Sequence, residues 1–528
     1  MCDPYNGSLI LSNTTRLNNM VNSFNVAEDN EDPLGVLQKL KLPSRYESLV
    51  AAVGPKVAQL LIEPSGDTLD IFSRAASHIQ VQGSGLFLPV FADPGTGKTT
   101  LISSLGSWIS GSYGPTVKLA NEESKEITFE KLRKKVADAV SENDIPSNDH
   151  RILVINIDGR ESDGPSSGEL SEIKMFLREP GAEYGKPGSR ILLVWLTTKE
   201  ALSREMSKEY ENVAGSSPVN IPVQVKGPDP GAWQQIASNT LELVNDFSGL
   251  DELGVNPCDY EPAEYNSIGD FLQKISSDFV ELKHRMLSSM SVRVKIVFVF
   301  ACESSKADVL RELVGNHHDM LDPIKLLKAT PDSEIGEYWK KNRGLLTTTV
   351  LKLEARATFV TPALSVPILY QHGPNDVRAV LGAEGYKDAS MKISDNTLKK
   401  SHFYKVLAGE LATIPDGRGS SFGGAKLEAF RSIAKKYKFT AGRDKKLNRA
   451  FGEFLKTNPF SDGVVSVEER LQGTKLIPDI SLKCEGHVKC IEFHWRGKDL
   501  LKSDKSAVAQ YILKKLRAYA EALDLGAS

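Results

Sequence analysis

Two periods of apolar residues organise the chain. From about Tyr46 the spacing is helical, and it gives way to the apolar run "GLFLPVF", which enters the Gly-rich stretch "ADPGTGKTT". Beyond it the pattern predicts a helix from about Thr99, a helix at "TFEKLRKKVADAV", a strand "RILVINID", a helix "GELSEIKMFLRE", a strand "RILLVWLTT" and a helix "KEALSREMSKEYENV". These strands are apolar throughout, as a parallel strand covered on both faces requires. A strand "NIPVQVKG", helices "AWQQIASNTLELVNDF" and "SIGDFLQKISSDFVELKHRML", and the apolar strand "VRVKIVFVFA" follow; the pattern does not assign the last to a sheet. Strict alternation, the period of a strand with two unlike faces, marks "CIEFHWR" near the C-terminus.

The punctuation between these runs sets the domain expectation. Residues 1–45 read as a mobile N-terminal arm, Asn- and Ser-rich and carrying the acidic "AEDNEDP". Residues 46–330 read as a parallel-sheet α/β domain and 331–424 as a connecting α+β region, with "VLKLEARATFVTP" strand-like and "PDGRGSSFGGA" a linker. Residues 425–528 read as a smaller mixed α/β domain. The total of 528 residues suits about three domains of roughly 100–200 residues each.

Composition narrows the class. With 40% hydrophobic and 25% charged residues the chain is an ordinary globular one, not a fibrous or disordered one. Its five cysteines (Cys2, Cys258, Cys302, Cys484, Cys490) are odd in number and scattered, which points to a reducing, cytoplasmic compartment. No run approaches the ~18 apolar residues of a membrane span, and the first residues lack the pattern of a signal peptide. The net charge of −3 conceals an asymmetry: residues 426–528 carry 21 Lys and Arg against 13 Asp and Glu, a net of +8, and the first 425 residues carry −11. A basic segment on an acidic body suits a polyanion, DNA before RNA, although a solvated basic helix face gives the same count.

"ADPGTGKT" fits G-x-x-x-x-G-K-[ST] with Ala92 in the first glycine's place. Such a turn binds phosphate through backbone N–H groups, which Gly95 and Gly97 free to curl round the anion within the stretch Asp93, Pro94, Gly95, Thr96, Gly97, Lys98, Thr99, Thr100. Lys98 is placed to bridge β- and γ-phosphates, and Thr99 to give its hydroxyl to Mg²⁺. Asp158, ending "ILVINID", is the expected second acid for Mg²⁺; Glu161 is the candidate base, with Asp163 its competitor. On these motifs residues 46–329 resemble the P-loop ATPases of the AAA-like and signal-transducing (STAND) class. That resemblance implies ATP as ligand and a polar residue at Thr197 or Thr198 that senses the γ-phosphate. In the AAA type a glutamate directly follows the aspartate, whereas here Gly159 does.

The hairpin "LIPDISLKCEGHVKCIEFHWR" admits three readings. Cys484, His487, Cys490 and His494 have zinc-ligand residue types, but in a strand Cys490 and His494 lie ~13 Å apart, too far for one ion. A plain amphipathic hairpin is the second reading. In the third, Asp479 at a strand start faces Glu492 on the returning strand, with His494 on the face of Glu492 and Ile491, Phe493 and Trp495 in the core; such a pair holds a divalent cation. The third pattern resembles the PD-(D/E)xK nucleases over the last hundred residues. This implies metal at Asp479 and Glu492 (Mg²⁺, or Mn²⁺ at this site), His494 in the family's lysine position as a water-orienting group and a weaker electrostatic stabiliser than lysine, Glu453 as the acid of the preceding helix, and Gln510 opening the helix that follows. Lys483 or Lys514 are candidates to replace the lysine spatially.

The fold class expected is therefore α/β: a parallel-sheet P-loop NTPase domain plus a smaller restriction-endonuclease-like domain. The combination resembles prokaryotic ATPase–nuclease effectors of restriction and antiviral defence, implying an ATP-regulated, metal-dependent DNA nuclease, with a homo-oligomer or a partner defence protein as company. A non-enzymatic ATP switch that only grips nucleic acid or a partner is the alternative. A small-molecule kinase or GTPase leaves the basic segment without a purpose.

Overall fold

The computed structural model describes residues 35–60, 64, 66–120, 123–146, 149–179, 190–288, 293–303, 307–315, 320–384, 395–410, 412–414, 424–439, 442–457, 464–497 and 500–526. Residues 1–34 of the expected arm and 415–423 of the expected linker lie outside these. The chain divides into two compact units, Leu40–Ser288 and Met1–Lys39 with Ser289–Ser528. The expected boundaries at 45, 330 and 424 are thus corrected. Residues just before 45 are already pinned: the Asn245 side chain bonds both the N–H and the C=O of Lys41, each at 2.7 Å, and Leu40 and Leu42 are buried.

The unit Leu40–Ser288 contains α1 (Tyr46–Val53), α2 (Gly66–Gln82), β1 (Leu86–Phe91), α3 (Lys98–Ser103), α4 (Leu105–Trp108), β2 (Tyr113–Leu119), α5 (Phe129–Glu142) and β3 (Ile152–Ile157). It continues with α6 (Ser167–Arg178), β4 (Ile191–Thr197), α7 (Glu200–Ala214), β5 (Val223–Gln224), α8 (Trp233–Asn245) and α9 (Ile268–Ser288). The five strands are parallel in the order β2-β3-β4-β1-β5. Every residue of β3 and β4 is buried, because the sheet has a core on each side. Phe72, Ala76 and Ile79 of α2 and Leu101 of α3 pack on one face; Leu132 of α5, Ile173 and Phe176 of α6 and Met206 of α7 pack on the other. Helix starts follow capping chemistry: Thr128 accepts from the Lys131 amide, and Ser166 and Glu169 form a reciprocal capping box. This is the parallel sheet that the apolar strands predict. β2 alone has no clear signal in the sequence, since "YGPTVKL" carries Gly and Pro and has exposed and half-buried positions.

The second unit contains β6 (Val294–Ala301), α10 (Asp308–Leu313), α11 (Pro323–Lys328), α12 (Glu334–Lys340), α13 (Arg343–Lys352), β7 (Arg356–Val360), α14 (Pro362–His372), α15 (Asn375–Ala383), α16 (Asp395–Lys399) and α17 (His402–Ala408). α18 (Gly424–Tyr437), α19 (Lys445–Lys456), β8 (Val465–Val467), β9 (Ile480–Cys484), β10 (His487–Trp495), α20 (Leu500–Ser503) and α21 (Lys505–Ala522) complete it. Its sheet runs β7-β6-β10-β9-β8, with β7, β6 and β10 parallel and β9 and β8 antiparallel. The strand "VRVKIVFVFA" therefore belongs here, paired with β10 from Val294↔Val488 to Ala301↔Trp495. Region 331–424 is no separate connector either, because β7 extends the same sheet. Both corrections have one cause: an apolar strand satisfies any sheet with a vacant parallel edge, and periodicity does not choose among them.

Candidate functional site

The first site is built on the turn after β1. Gly95 (φ +76°) and Gly97 (φ +85°) hold left-handed conformations that only glycine adopts without strain, and Thr96 Oγ1 donates to Asp93 O at 2.8 Å to close the turn. Asp93 and Pro94 are exposed at its tip. Gly97 caps α3, so Lys98, Thr99 and Thr100 form its first turn. With Glu161, the residues from Gly95 to Thr100 line an open cleft of about 330 Å³ whose apolar side includes Tyr46, Leu49, Leu60, Ile236 and Leu272. Lys98 is only 8% exposed. Burial pulls its pKa below the usual lysine range, against the opposing pull of Glu161, Asp93 and Asp158. A cation so placed, with turn amides beside it, favours a multiply charged phosphate.

Asp158 follows β3 and is bound by Lys118 of β2, Nζ to Oδ2 at 2.7 Å; Lys118 also reaches Glu47 at 3.5 Å. Glu161 sits three residues on, its carbonyl accepting from Thr197 Oγ1 at 2.8 Å and from the Thr198 amide at 3.3 Å. Thr197 thus secures the Glu161 loop, and the γ-phosphate-sensing role expected of Thr197 or Thr198 finds no support in these bonds. Asp163 is exposed and paired with Arg160 at 3.0 Å, away from the cleft lining. Arg160 in turn binds Glu169 at 2.5 Å and lies 4.6 Å over the Trp195 ring, locking the loop to β4. Lys118 is a contributor that its strand's weak signal concealed.

The second site lies on the unit with β10. The Phe493 amide donates to Asp479 Oδ2 at 2.7 Å, so the two antiparallel strands set Asp479 beside Glu492. Ile491, Phe493 and Trp495 face the opposite core, packed on Phe451 of α19, as alternation predicts. On the carboxylate face lies α21. Lys515 Nζ donates to Glu492 Oε2, and Tyr519 OH donates to Glu492 Oε1 at 2.6 Å. Tyr511 OH donates to Phe493 O at 3.1 Å. Burial, then the charge of Glu492, pushes the Asp479 carboxyl up to about 7. Burial opposes the charge on Lys515, yet Glu492, Asp479 and Asp444 outweigh it and hold its pKa above the usual lysine range.

Several expected residues are elsewhere. Glu453 is on the far side of α19, 55% exposed and paired with Lys456 at 2.7 Å, because the other face of that amphipathic helix is needed for the core. The acids whose charge reaches the site are instead Asp444, next to the start of α19, and Glu468, whose amide donates to Asp479 O at 3.1 Å. His494 is buried, 3.9 Å from the Tyr511 ring, and its Nε2 accepts from Arg496 Nε at 3.0 Å. Burial, then Arg496 and Lys515, pushes it down to about 3, so it is neutral and unsuited to the lysine's cationic role. Lys483 and Lys514 are exposed. Gln510 does not open the helix, which begins at Lys505 after the cap Asp504. Zinc is excluded by orientation: Cys484 packs with Leu482 against the Phe451 core, whereas Cys490 contacts Tyr519 on the opposite face. Among the described residues no group of three or more His, Cys, Asp or Glu converges on one point. The missed residues did leave a signal, since Tyr511, Lys515 and Tyr519 recur at intervals of four, one stripe of a helix.

No described helix is long and apolar enough to cross a membrane. No protein-family model matches the chain, and no curated protein does. Among solved structures it is similar to domain III of the replication initiation protein DnaA from Thermotoga maritima (13% identity, 44% of this chain and 88% of that one, TM-score 0.24). It is also similar to a point mutant of RuvB from Thermotoga maritima (14%, 41% and 71%, TM-score 0.23) and to Cdc6p from Pyrobaculum aerophilum (10%, 91% and 97%, TM-score 0.23). The P-loop reading of the fold rests on this chain's own strand order and phosphate turn: β1 leads into the turn, and β4 separates it from the acid-bearing β3.

Proposed function

We propose that this chain is an ATP-regulated, divalent-metal-dependent nuclease acting on DNA. The observation that carries the proposal is the half-buried Asp479 set beside the buried Glu492 by two antiparallel strands, with Lys515 bonded to Glu492, in the same chain as a phosphate turn. At the turn, Gly95, Gly97 and Lys98 are the phosphate partners. Thr99 and Asp158 supply the hard oxygens that suit Mg²⁺, and Glu161, lining the cleft, is the base for water attack. At the carboxylates, Asp479 and Glu492 form an all-oxygen donor pair that fits Mg²⁺ or Mn²⁺. Bound there, such an ion supplies Lewis-acid charge neutralisation at a phosphodiester. Exposed Arg443, Arg449, Arg470, Lys475 and Lys483, near Asp444 and Asp479 in the chain, are phosphate-contact candidates for DNA. A cytoplasmic restriction or antiviral role, alone or with copies or partners, follows from the resemblance in architecture.

A specific observation favours a second reading, a switch that binds nucleic acid without cutting it: both Glu492 oxygens are engaged by protein donors, and His494 is neutral. Incubating purified protein with plasmid and linear DNA and with RNA, in Mg²⁺ or Mn²⁺ with and without ATP, separates the two. Cleavage lost in both Asp479→Asn and Glu492→Gln, with DNA binding retained, supports the nuclease. DNA binding without cleavage under every condition leaves the switch.

A further inference from the structure

Resting on the nuclease reading, we propose that Lys515 is a built-in counter-cation of the carboxylate pair, neutralising Glu492 while no metal is present and turning to the substrate phosphate when a divalent ion takes over the carboxylates.

The two donors on Glu492 are unequal. Tyr519 is buried and rigid, and its hydroxyl holds Oε1 at 2.6 Å. Lys515, which holds Oε2, is 33% exposed at its side chain, whereas that of Glu492 is 2% exposed. Its ammonium ends a flexible four-carbon stem that is partly exposed, unlike the buried Tyr519 ring. The buried carboxylate of Glu492 requires a positive charge, and among the described residues no other cation donates to it. A divalent ion at Oε2 would supply more charge than the ammonium does and would repel it. Released, Lys515 is a point charge beside the metal position, suited to a phosphate oxygen. His494 cannot take that part, being packed by Phe300 and Tyr511 with Nε2 held by Arg496.

The test is a Mn²⁺ titration of the full chain by calorimetry without nucleotide, comparing wild type, Lys515→Met and Lys515→Gln, with Glu492→Gln reporting any sites elsewhere. Glutamine keeps a donor for Glu492 without the charge, so it guards against a methionine variant that does not fold. The expected result is Mn²⁺ binding about tenfold tighter in both Lys515 variants, together with DNA cleavage at least about a hundredfold slower. Affinity unchanged or weakened in a folded variant overturns the counter-cation. Tighter Mn²⁺ binding with cleavage unchanged overturns the hand-over to phosphate. If Lys515→Gln, like wild type, binds no Mn²⁺ and cuts no DNA, the nuclease reading itself falls and takes the inference with it.

Discussion

The backbone N–H of Gly269, at the start of α9, donates to the carbonyl oxygen of Gly95 in the phosphate turn at 2.9 Å. A Cβ on Gly269 would stand 2.8 Å from Gly95 Cα, and one on Gly227 would stand 2.8 Å from Thr96 O. The turn is thus held from outside by two chain segments that approach it as only glycine permits. Alanine is the better helix former by roughly 1 kcal/mol, so on local propensity Gly269→Ala would stabilise the unit. The close contact predicts the reverse: a shifted turn, ATP affinity down about tenfold and a lower melting temperature. Titration with a fluorescent ATP analogue and a thermal scan check both.

Lys98 and Glu161 line the same cleft and should fail differently. Removing the ammonium in Lys98→Ala strips the phosphates of their cation, and ATP binding should weaken at least about a hundredfold. Glu161→Gln leaves the amides and Lys98 in place, so binding should persist while phosphate release slows at least about tenfold. Normal turnover in Glu161→Gln would move the base elsewhere, with Asp163 disfavoured by its pairing to Arg160.

Asp479 carries a signature in stability against pH. Its folded pKa of about 7 lies above the ordinary aspartate value of 3.8, so the native state favours the protonated carboxyl. That contribution is fully present below about pH 4 and is lost as pH rises through about 7. Asp479→Asn removes the dependence. The variant should gain on wild type between about pH 4 and 7, by at most about 4 kcal/mol at about 1.4 kcal/mol per unit. Urea unfolding at about pH 4.5, 6 and 8 reads the difference, and a constant offset would refute a buried, raised carboxyl.

His494 acts with the opposite sign. Its folded pKa of about 3 lies below 6.5, so the neutral ring contributes stability above pH 6.5 that is lost as pH falls toward 3. His402, at about 4 beside Thr358, adds to the same acid lability. His494→Phe should therefore flatten the acid limb of the stability curve. If Lys515 supplies the cation, this variant also keeps DNA cleavage within about tenfold of wild type. Complete loss of cleavage in a folded His494→Phe would return the role to histidine.

The phosphate turn was legible because its chemistry is contiguous: Gly95, Gly97, Lys98 and Thr99 meet the same anion through the backbone of one turn, and the apolar β3 delivers Asp158 at its end. The pairing of Asp479 with Glu492 was legible for a related reason. A short hairpin with strict alternation fixes register and face together, and the Phe493 amide on Asp479 is the outcome.

What the chain alone did not disclose are relations between distant segments. β6 lies almost 200 residues from β10, and only the packed sheet pairs Val294 with Val488. Glu453 had the right residue type on the right helix, but the rotation of α19 was set by Leu447, Phe451 and Leu455 seeking the core, which turned the glutamate to solvent. Lys515 and Lys514 are indistinguishable by composition; the docking of α21 on β10 brings one ammonium onto Glu492 and leaves the other exposed. Local sequence determines chemistry that a single turn or hairpin can complete. Where a charge must find its partner across a packed interface, helix rotation and strand order decide, because burial energy is summed over whole faces and does not depend on any one residue's purpose.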